Sequence, residues 1–190
     1  MRLVRIVGAA VVGMAVLAGC SDGGQANETL PSASSSAAAT SESLPPLGPP
    51  DLPMPAEARE QTEAGAIAAG RYFIELTVRA YQQGESEHIS AVSRDCEYCA
   101  LLTSGIEEDA AAGNKVSGGD VSFKDSGQAT VEEDAAEVAF TVEQTPLTVT
   151  GPNGQAIADR AQPSFEVFTA IACSWSDDLS AWIVNQVTIS

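Results

Sequence analysis

The spacing of apolar residues changes near residue 119, and this change constrains the fold more than any other feature of the chain. Before it, small and large apolar residues recur at helical spacing, at Ile67, Gly70, Ile74, Val78 and Tyr81. After it, apolar and polar residues alternate, as in a strand with one buried face, with Val138, Phe140 and Val142 on the apolar side. The sequence therefore predicts an α+β domain, with N-terminal helices packed in a curved antiparallel sheet of four or more strands.

Residues that commonly begin or end helices indicate where the helices lie within this pattern. A first helix is predicted over residues 55–83, ending at Gly84, because glycine is common where helices stop. A second is predicted from Cys96 to about Ala112, with Asp95 as its N-cap. Two further strands are predicted from alternating residues. The apolar side of the first contains Phe165, Val167, Thr169, Ile171, Cys173 and Trp175. The apolar side of the second contains Ile183, Val187 and Ile189. Turn signals between the strands favour hairpins.

The first nineteen residues have the pattern of an export signal. Arg2 and Arg5 precede an uncharged, mostly apolar run that is too short to span a bilayer as a permanent helix. The run ends in Leu-Ala-Gly-Cys, the bacterial lipobox, at residues 17–20. We therefore expect residues 1–19 to be removed and Cys20 to carry a lipid that anchors the chain to the outer face of the cell membrane.

The composition after Cys20 is typical of a flexible tether. Residues 21–53 are rich in Ser, Ala, Gly, Thr and Pro and contain few large apolar side chains, so they cannot bury enough surface to offset the entropy of ordering. We predict a lipidated, disordered segment over residues 20–53. Residues 54–190 remain, which is enough for one domain with a single core.

The charge of the chain is strongly acidic. The net charge is −17, and it becomes −19 when Arg2 and Arg5 leave with the signal. Such a surface repels nucleic acid, so no nucleic-acid partner is expected. Acidic clusters at residues 107–109, 132–134 and 177–178 lack the alternating oxygen ligands of a calcium loop, and they read as solvated helix ends and turns.

The order of elements, a long helix, a shorter helical segment and then a strand meander, resembles the nuclear transport factor 2-like cone over about residues 55–190. Three segments look like a family of uncharacterised actinobacterial lipoproteins: Met-Pro-Ala-Glu-Ala at 54–58, Arg-Tyr-Phe-Ile-Glu-Leu at 71–76 and Asp-Cys-Glu-Tyr-Cys at 95–99. The resemblance implies a location and a fold, and no assigned activity. The cone fold is used by isomerases, dehydratases, small-molecule binders and spacer domains.

Three cysteines remain after Cys20. Cys96 and Cys99 form a Cys-x-x-Cys pair at the start of a predicted helix, and an oxidising exterior favours a structural disulfide between them. The alternatives are a pairing that includes Cys173, free redox-active thiols, or a zinc site formed by the three cysteines and His88. The alternation of its strand places Cys173 on the apolar side, as a buried free thiol. No metal or cofactor is expected.

No catalytic motif is present in the sequence. There is no Gly-x-Ser-x-Gly, His-Glu-x-x-His or phosphate loop. His88 is the only residue that ordinarily titrates near neutral pH, so it is the candidate general base, beside Asp95 or Glu87, and the alternative is a solvated histidine in a polar connector. We therefore expect a chain that is not an enzyme.

The large aromatic residues can either line a ligand pocket or fill the core. The pocket candidates, together with His88, are Tyr72, Tyr98, Phe168, Trp175 and Trp182. The leading hypothesis is a non-enzymatic binding or protein-interaction module whose partner is an envelope protein or a small molecule. The alternatives are a carrier or sensor for a small apolar ligand inside the cone, and an isomerase-like or dehydratase-like enzyme.

Overall fold

The computed structural model describes residues 44–190. The predicted signal peptide (1–19), the lipidated Cys20 and most of the predicted tether lie outside these residues. Within the described part, no helix has the length and apolar character needed to cross a membrane. The predicted α+β class is confirmed, because helices at the N-terminal side pack against an antiparallel sheet built from the rest of the chain.

Three α-helices precede the sheet: α1 (Glu63–Gln83), α2 (Glu87–Ala91) and α3 (Glu97–Ala111). Helix α1 ends where the sequence predicted, at Gly84, whose φ of +71° suits glycine best. It begins later than predicted, because the Thr62 side chain caps it by accepting a hydrogen bond from the Gly65 N–H at 3.0 Å. The start of the predicted helix is instead a 3₁₀ turn at Glu57–Arg59.

Helix α3 matches the predicted second helix to within a residue at each end. Its N-cap is Cys96 rather than Asp95, because the Cys96 sulfur accepts a hydrogen bond from the Cys99 N–H at 3.1 Å. Asp95 instead has a positive φ of 53° and lies exposed. The short helix α2 was not predicted. It lies in a segment whose polar composition predicts a connector, and it buries Ile89.

Seven strands follow. They are β1 (Lys115–Gly118), β2 (Val121–Phe123), β3 (Gln128–Glu132), β4 (Ala135–Gln144), β5 (Leu147–Thr150), β6 (Phe165–Ser176) and β7 (Ala181–Ile189). The main sheet has the order β2-β4-β6-β7, and β3 pairs with the other half of the same β4 edge that β2 occupies. Strands β1 and β5 form a separate two-stranded ribbon. All pairings between the strands are antiparallel.

The core lies between helix α1 and one face of the main sheet. Strand β4 contributes Val138, Phe140 and Val142 to it, all buried, which confirms the predicted alternation. Strand β6 follows its predicted pattern through the buried residues at 169, 171 and 173. Tyr72 and Leu76 are buried on the facing side of α1. Burying such apolar side chains stabilises a fold by roughly 1.5–3 kcal/mol each.

The ordered domain begins earlier than residue 54, where the sequence analysis placed its start. In the segment 44–53, which was assigned to the tether, Pro49 is fully buried. The carbonyl oxygen of Leu52 accepts a hydrogen bond from the Tyr72 hydroxyl at 3.1 Å. A few apolar residues among the prolines therefore suffice to fix this segment against α1, and composition alone does not reveal this.

Candidate functional site

A cavity of about 370 Å³ lies between helices α1 and α3 and the inner face of the main sheet, with the β1–β5 ribbon as a side wall. This volume is at the lower end of the range typical of small-molecule sites, about 300–1,000 Å³. Its walls are mainly apolar. They include Phe73, Ile74, Val78, Leu102, Val116, Val121, Val142, Leu147, Val149, Val167, Val187 and Ile189.

Four valines explain why the sheet leaves space at this end. Val121, Val142, Val167 and Val187 come from the four strands of the main path, β2, β4, β6 and β7, and all line the cavity. Val142 and Val167 are direct partners across the β4–β6 pairing. Valine favours strands but is short, whereas the filled end of the same sheet carries larger side chains such as Phe140.

One end of the cavity is polar. Asp109, at the end of α3, has a side chain that is only 7% exposed, and its Oδ2 accepts a hydrogen bond from Nη2 of Arg160 at 2.6 Å. Its Oδ1 accepts from Nδ2 of Asn114 at 2.9 Å. The buried carboxylate is thus satisfied on both oxygens, as a buried charge must be to be tolerated. Asp109 and Arg160 both line the cavity.

Two tyrosines also line the cavity, and one of them, Tyr81, lies near this ion pair. Burial raises the pKa of Tyr81, and the negative charge of Asp109 raises it further, whereas Arg160 lowers it. Burial likewise raises the pKa of Tyr98, with a smaller contribution from Tyr81. Both phenols therefore stay neutral at physiological pH and offer a hydroxyl hydrogen to an acceptor in the cavity.

Of the six residues that the sequence analysis named for a pocket, only Tyr98 lines this cavity. Trp182 belongs to the packed core instead, being 1% exposed, with its indole N–H donating to the Glu60 carbonyl oxygen at 3.0 Å. Its ring contacts Trp175 edge to face, with the ring centroids 5.4 Å apart. Tyr72 is equally buried, and burial raises its pKa to about 12.

The remaining two pocket candidates lie away from the cavity. Phe168 is 49% exposed and lies beside a shallow groove on the outer face of the main sheet. His88 lies on α2, with its Nε2 3.4 Å from a carboxylate oxygen of Glu87, which is itself exposed. His88, the predicted general base, thus lies near Glu87, one of the two partners named for it. This pair lies at the surface and does not line the cavity.

The predicted disulfide between Cys96 and Cys99 is confirmed, with a sulfur–sulfur distance of 2.02 Å. It joins the N-cap of α3 to the helix's first turn and so fixes the start of the helix that carries Tyr98 and Asp109. Because both thiols are used, they are not available to the alternative zinc site with Cys173 and His88. Within residues 44–190, no group of three or more metal-binding side chains is suitably placed for a metal ion.

Cys173 is a buried free thiol, as its strand pattern predicted. Burial raises its pKa from the ordinary 9.0 to about 12, so it is a poor nucleophile at neutral pH. The unfolded thiol ionises above pH 9 while the folded thiol stays neutral. The stabilisation from this group is therefore complete below pH 9 and is lost as the pH rises towards 12.

We expect this titration to be measurable by urea unfolding at pH 7 and pH 10. Ionisation of the unfolded Cys173 thiol at pH 10 lowers the free energy of unfolding by about 1 kcal/mol, which a variant without the thiol does not lose. The free energy of unfolding should thus decrease less between pH 7 and pH 10 in Cys173→Ala than in the wild type, by that amount. An equal fall in both proteins would show that the thiol is not desolvated in the folded state.

The architecture defines the class: an α+β domain whose helices and antiparallel sheet border a mainly apolar, partly open cavity that contains the Asp109–Arg160 ion pair. The chain belongs to a family of unknown function, DUF6318, whose pattern matches residues 38–188. No curated protein matches the sequence.

Solved structures resemble the fold at low sequence identity. The intermembrane space region of the chloroplast protein ARC6 is 16% identical, with a TM-score of 0.50, and the match covers 67% of this chain and 95% of that one. The matches also include nuclear transport factor 2-like proteins. One, from Salmonella enterica serovar Typhimurium, is 9% identical with a TM-score of 0.40, and covers 66% of this chain and 91% of that one. A structure from Catenulispora acidiphila in complex with S-DNPA is 11% identical with a TM-score of 0.40, and the match covers 67% of this chain and 93% of that one.

Proposed function

We propose that the domain is a non-enzymatic binding module that holds a small, mainly apolar molecule in the cavity between α1 and the sheet. The observation that carries this proposal is the cavity itself, whose volume and mixture of apolar walls with a few convergent polar groups are typical of ligand sites. A carrier or sensor role is favoured over that of an interaction domain with a fully packed core, because a packed core would leave no cavity.

The polar end of the cavity supports binding rather than catalysis. Asp109 is the carboxylate in the cavity, and both of its oxygens already accept hydrogen bonds, from Arg160 and Asn114. These bonds hold the carboxylate against protein groups, whereas a general base must be placed within hydrogen-bond reach of a substrate proton. The two tyrosines and the arginine are instead groups that orient a bound molecule.

We further propose that the chain works at the outer face of the cell membrane, held there by a lipid on Cys20. The support is the lipobox at residues 17–20 after an apolar, positively flanked segment. A tether of Ser, Ala and Gly residues would let the domain stand about 30 Å from the surface, by the dimensions of flexible chains of this length.

The anchor is tested by cell fractionation. With Cys20 intact, we expect the protein in the membrane fraction and labelled by a fatty-acid analogue. Cys20→Ser should abolish the label, and the protein should fail to mature or leave the membrane, because the lipid is attached to this thiol. The control is Cys173→Ser, which changes a thiol outside the lipobox. Equal labelling of wild type and Cys20→Ser would contradict the anchor.

Binding is tested by titrating the ¹⁵N-labelled full chain, in detergent micelles, with decanol, a neutral apolar probe of suitable size. We expect saturable shifts of backbone amides around Val121, Val142, Val167 and Val187, because the probe would lie against these strands. Shifts confined to the outer-face residues near Phe168, or no saturable shifts, would contradict a binding role for the cavity.

A further inference from the structure

The cavity is amphipathic: most of its lining is apolar, and its two charged groups, Asp109 and Arg160, lie together. Asp109 and Arg160 line the cavity together and are hydrogen-bonded to each other, and Tyr81 lies near enough for both charges to act on its phenol. Tyr98 lies eleven residues before Asp109 on α3, about 16 Å along the helix axis, and so lines another part of the cavity. The rest of the lining comes mainly from valine, leucine, isoleucine and phenylalanine. A ligand that satisfies both regions has an apolar body and one polar head.

The polar end has more donors than acceptors to offer. Each oxygen of Asp109 already accepts one hydrogen bond, from Arg160 or from Asn114. Arg160 uses only Nη2 towards Asp109, and a guanidinium has five N–H donors. The Tyr81 phenol, which also lines the cavity, adds a hydroxyl donor. The free N–H groups of Arg160 therefore favour a head that accepts hydrogen bonds.

The cavity also sets the size of the ligand. Its volume of about 370 Å³ equals that of about a dozen water molecules. A molecule of about a dozen non-hydrogen atoms fits this space, which is the size of a medium-length alkyl chain with a small head.

Resting on the proposed binding function, we propose that the ligand is a monocarboxylate with an apolar body of about decanoate size, its carboxylate bound by Arg160 and the hydroxyl of Tyr81. Arginine is the side chain best suited to carboxylates, because its planar fork can donate two parallel hydrogen bonds. Asp109 then acts as a positioning residue, which holds the guanidinium at the end of the cavity.

The acidity of the whole chain does not oppose this assignment. The net charge of −17 is spread over the molecule, and at physiological salt exposed charges are screened beyond about 8 Å. At the polar end itself, the negative charge of Asp109 and the positive charge of Arg160 cancel. A cationic head is disfavoured there, because it would meet unused N–H donors of Arg160.

The test compares decanoate with decanol, which has the same apolar body and a neutral head, by titration of the full chain in detergent micelles at pH 7.5. We expect decanoate to bind about tenfold more tightly than decanol, because only its charged head makes charge-assisted hydrogen bonds with the guanidinium. Decyltrimethylammonium, the cationic counterpart, should bind more weakly than decanol. Equal affinities for decanoate and decanol would overturn the assignment.

Variants at residue 160 attribute the preference to the arginine. Arg160→Gln should remove the preference of decanoate over decanol while decanol still binds, and Arg160→Lys, which keeps the charge, should retain part of it. A preference unchanged in Arg160→Gln would overturn the role of Arg160. The two proposals fail differently: decanol binding without a carboxylate preference overturns only this inference, whereas binding of neither probe to the wild-type chain overturns the proposed function and this inference with it.

Discussion

Trp182→Ala is expected to lower the free energy of unfolding by about 3–5 kcal/mol, the range for removing a buried aromatic side chain. Trp182 is 1% exposed, its ring contacts Trp175, and its N–H bonds to the Glu60 carbonyl oxygen. The change therefore leaves a large cavity and an unpaired acceptor. This is a large part of the 5–15 kcal/mol that stabilises most domains. Urea unfolding followed by circular dichroism measures it.

The matched control is Phe168→Ala, which removes an aromatic side chain from the outer face of the same sheet. Phe168 is 49% exposed, so we expect a change within about 0.5 kcal/mol. Losses of similar size in the two variants would contradict the packing described for Trp182, and so would a loss below about 1 kcal/mol in Trp182→Ala.

Val167→Trp is expected to weaken decanol binding by roughly tenfold to a hundredfold, because overpacking an apolar site costs about 1–3 kcal/mol. Val167 lies on β6 opposite Val142, and both line the cavity. An indole at this position occupies space that the probe needs. Stability should change little, since the added ring enters existing space rather than displacing packed side chains. Titration with decanol measures the affinity.

Glu166→Trp provides the control for this variant. Glu166 is the preceding residue on β6, and it is exposed, so the same indole points away from the cavity. Its affinity for decanol should equal that of the wild type. If Val167→Trp also bound decanol as tightly as the wild type, the probe would not occupy the space between β6 and α1.

The sequence predicted the parts of the fold that depend on local pattern. The alternation at Val138, Phe140 and Val142 identified a half-buried strand, and Gly84 marked the end of α1 correctly. The spacing of Cys96 and Cys99 was enough to predict their disulfide. Each of these features is decided within a few residues, so one sequence contains the necessary information.

The pocket residues were harder to predict, because periodicity shows which face of an element is buried but not how the space behind it is filled. Tyr72 and Trp182 point inward, as a pocket requires, yet they fill the core. The cavity is lined instead by small residues such as Val142 and Val167, whose importance lies in the volume that they leave empty.

The polar end was missed for two different reasons. Asp109 was assigned to a solvated cluster, although its spacing from Leu102 and Ile106 places it on the apolar face of α3, and this signal could have identified it. Arg160 lies 51 residues away in a 3₁₀ turn without any periodic pattern. Only the tertiary fold brings it to Asp109.

The most direct test of the central claim is a crystal structure of the exported chain grown with saturating decanoate. The account predicts electron density for one decanoate between the sheet and α1, with the alkyl chain against Val142 and Val167 and the carboxylate at Arg160. A structure in which the protein's own side chains fill this space, or in which decanoate lies only on the outer face of the sheet, would contradict it.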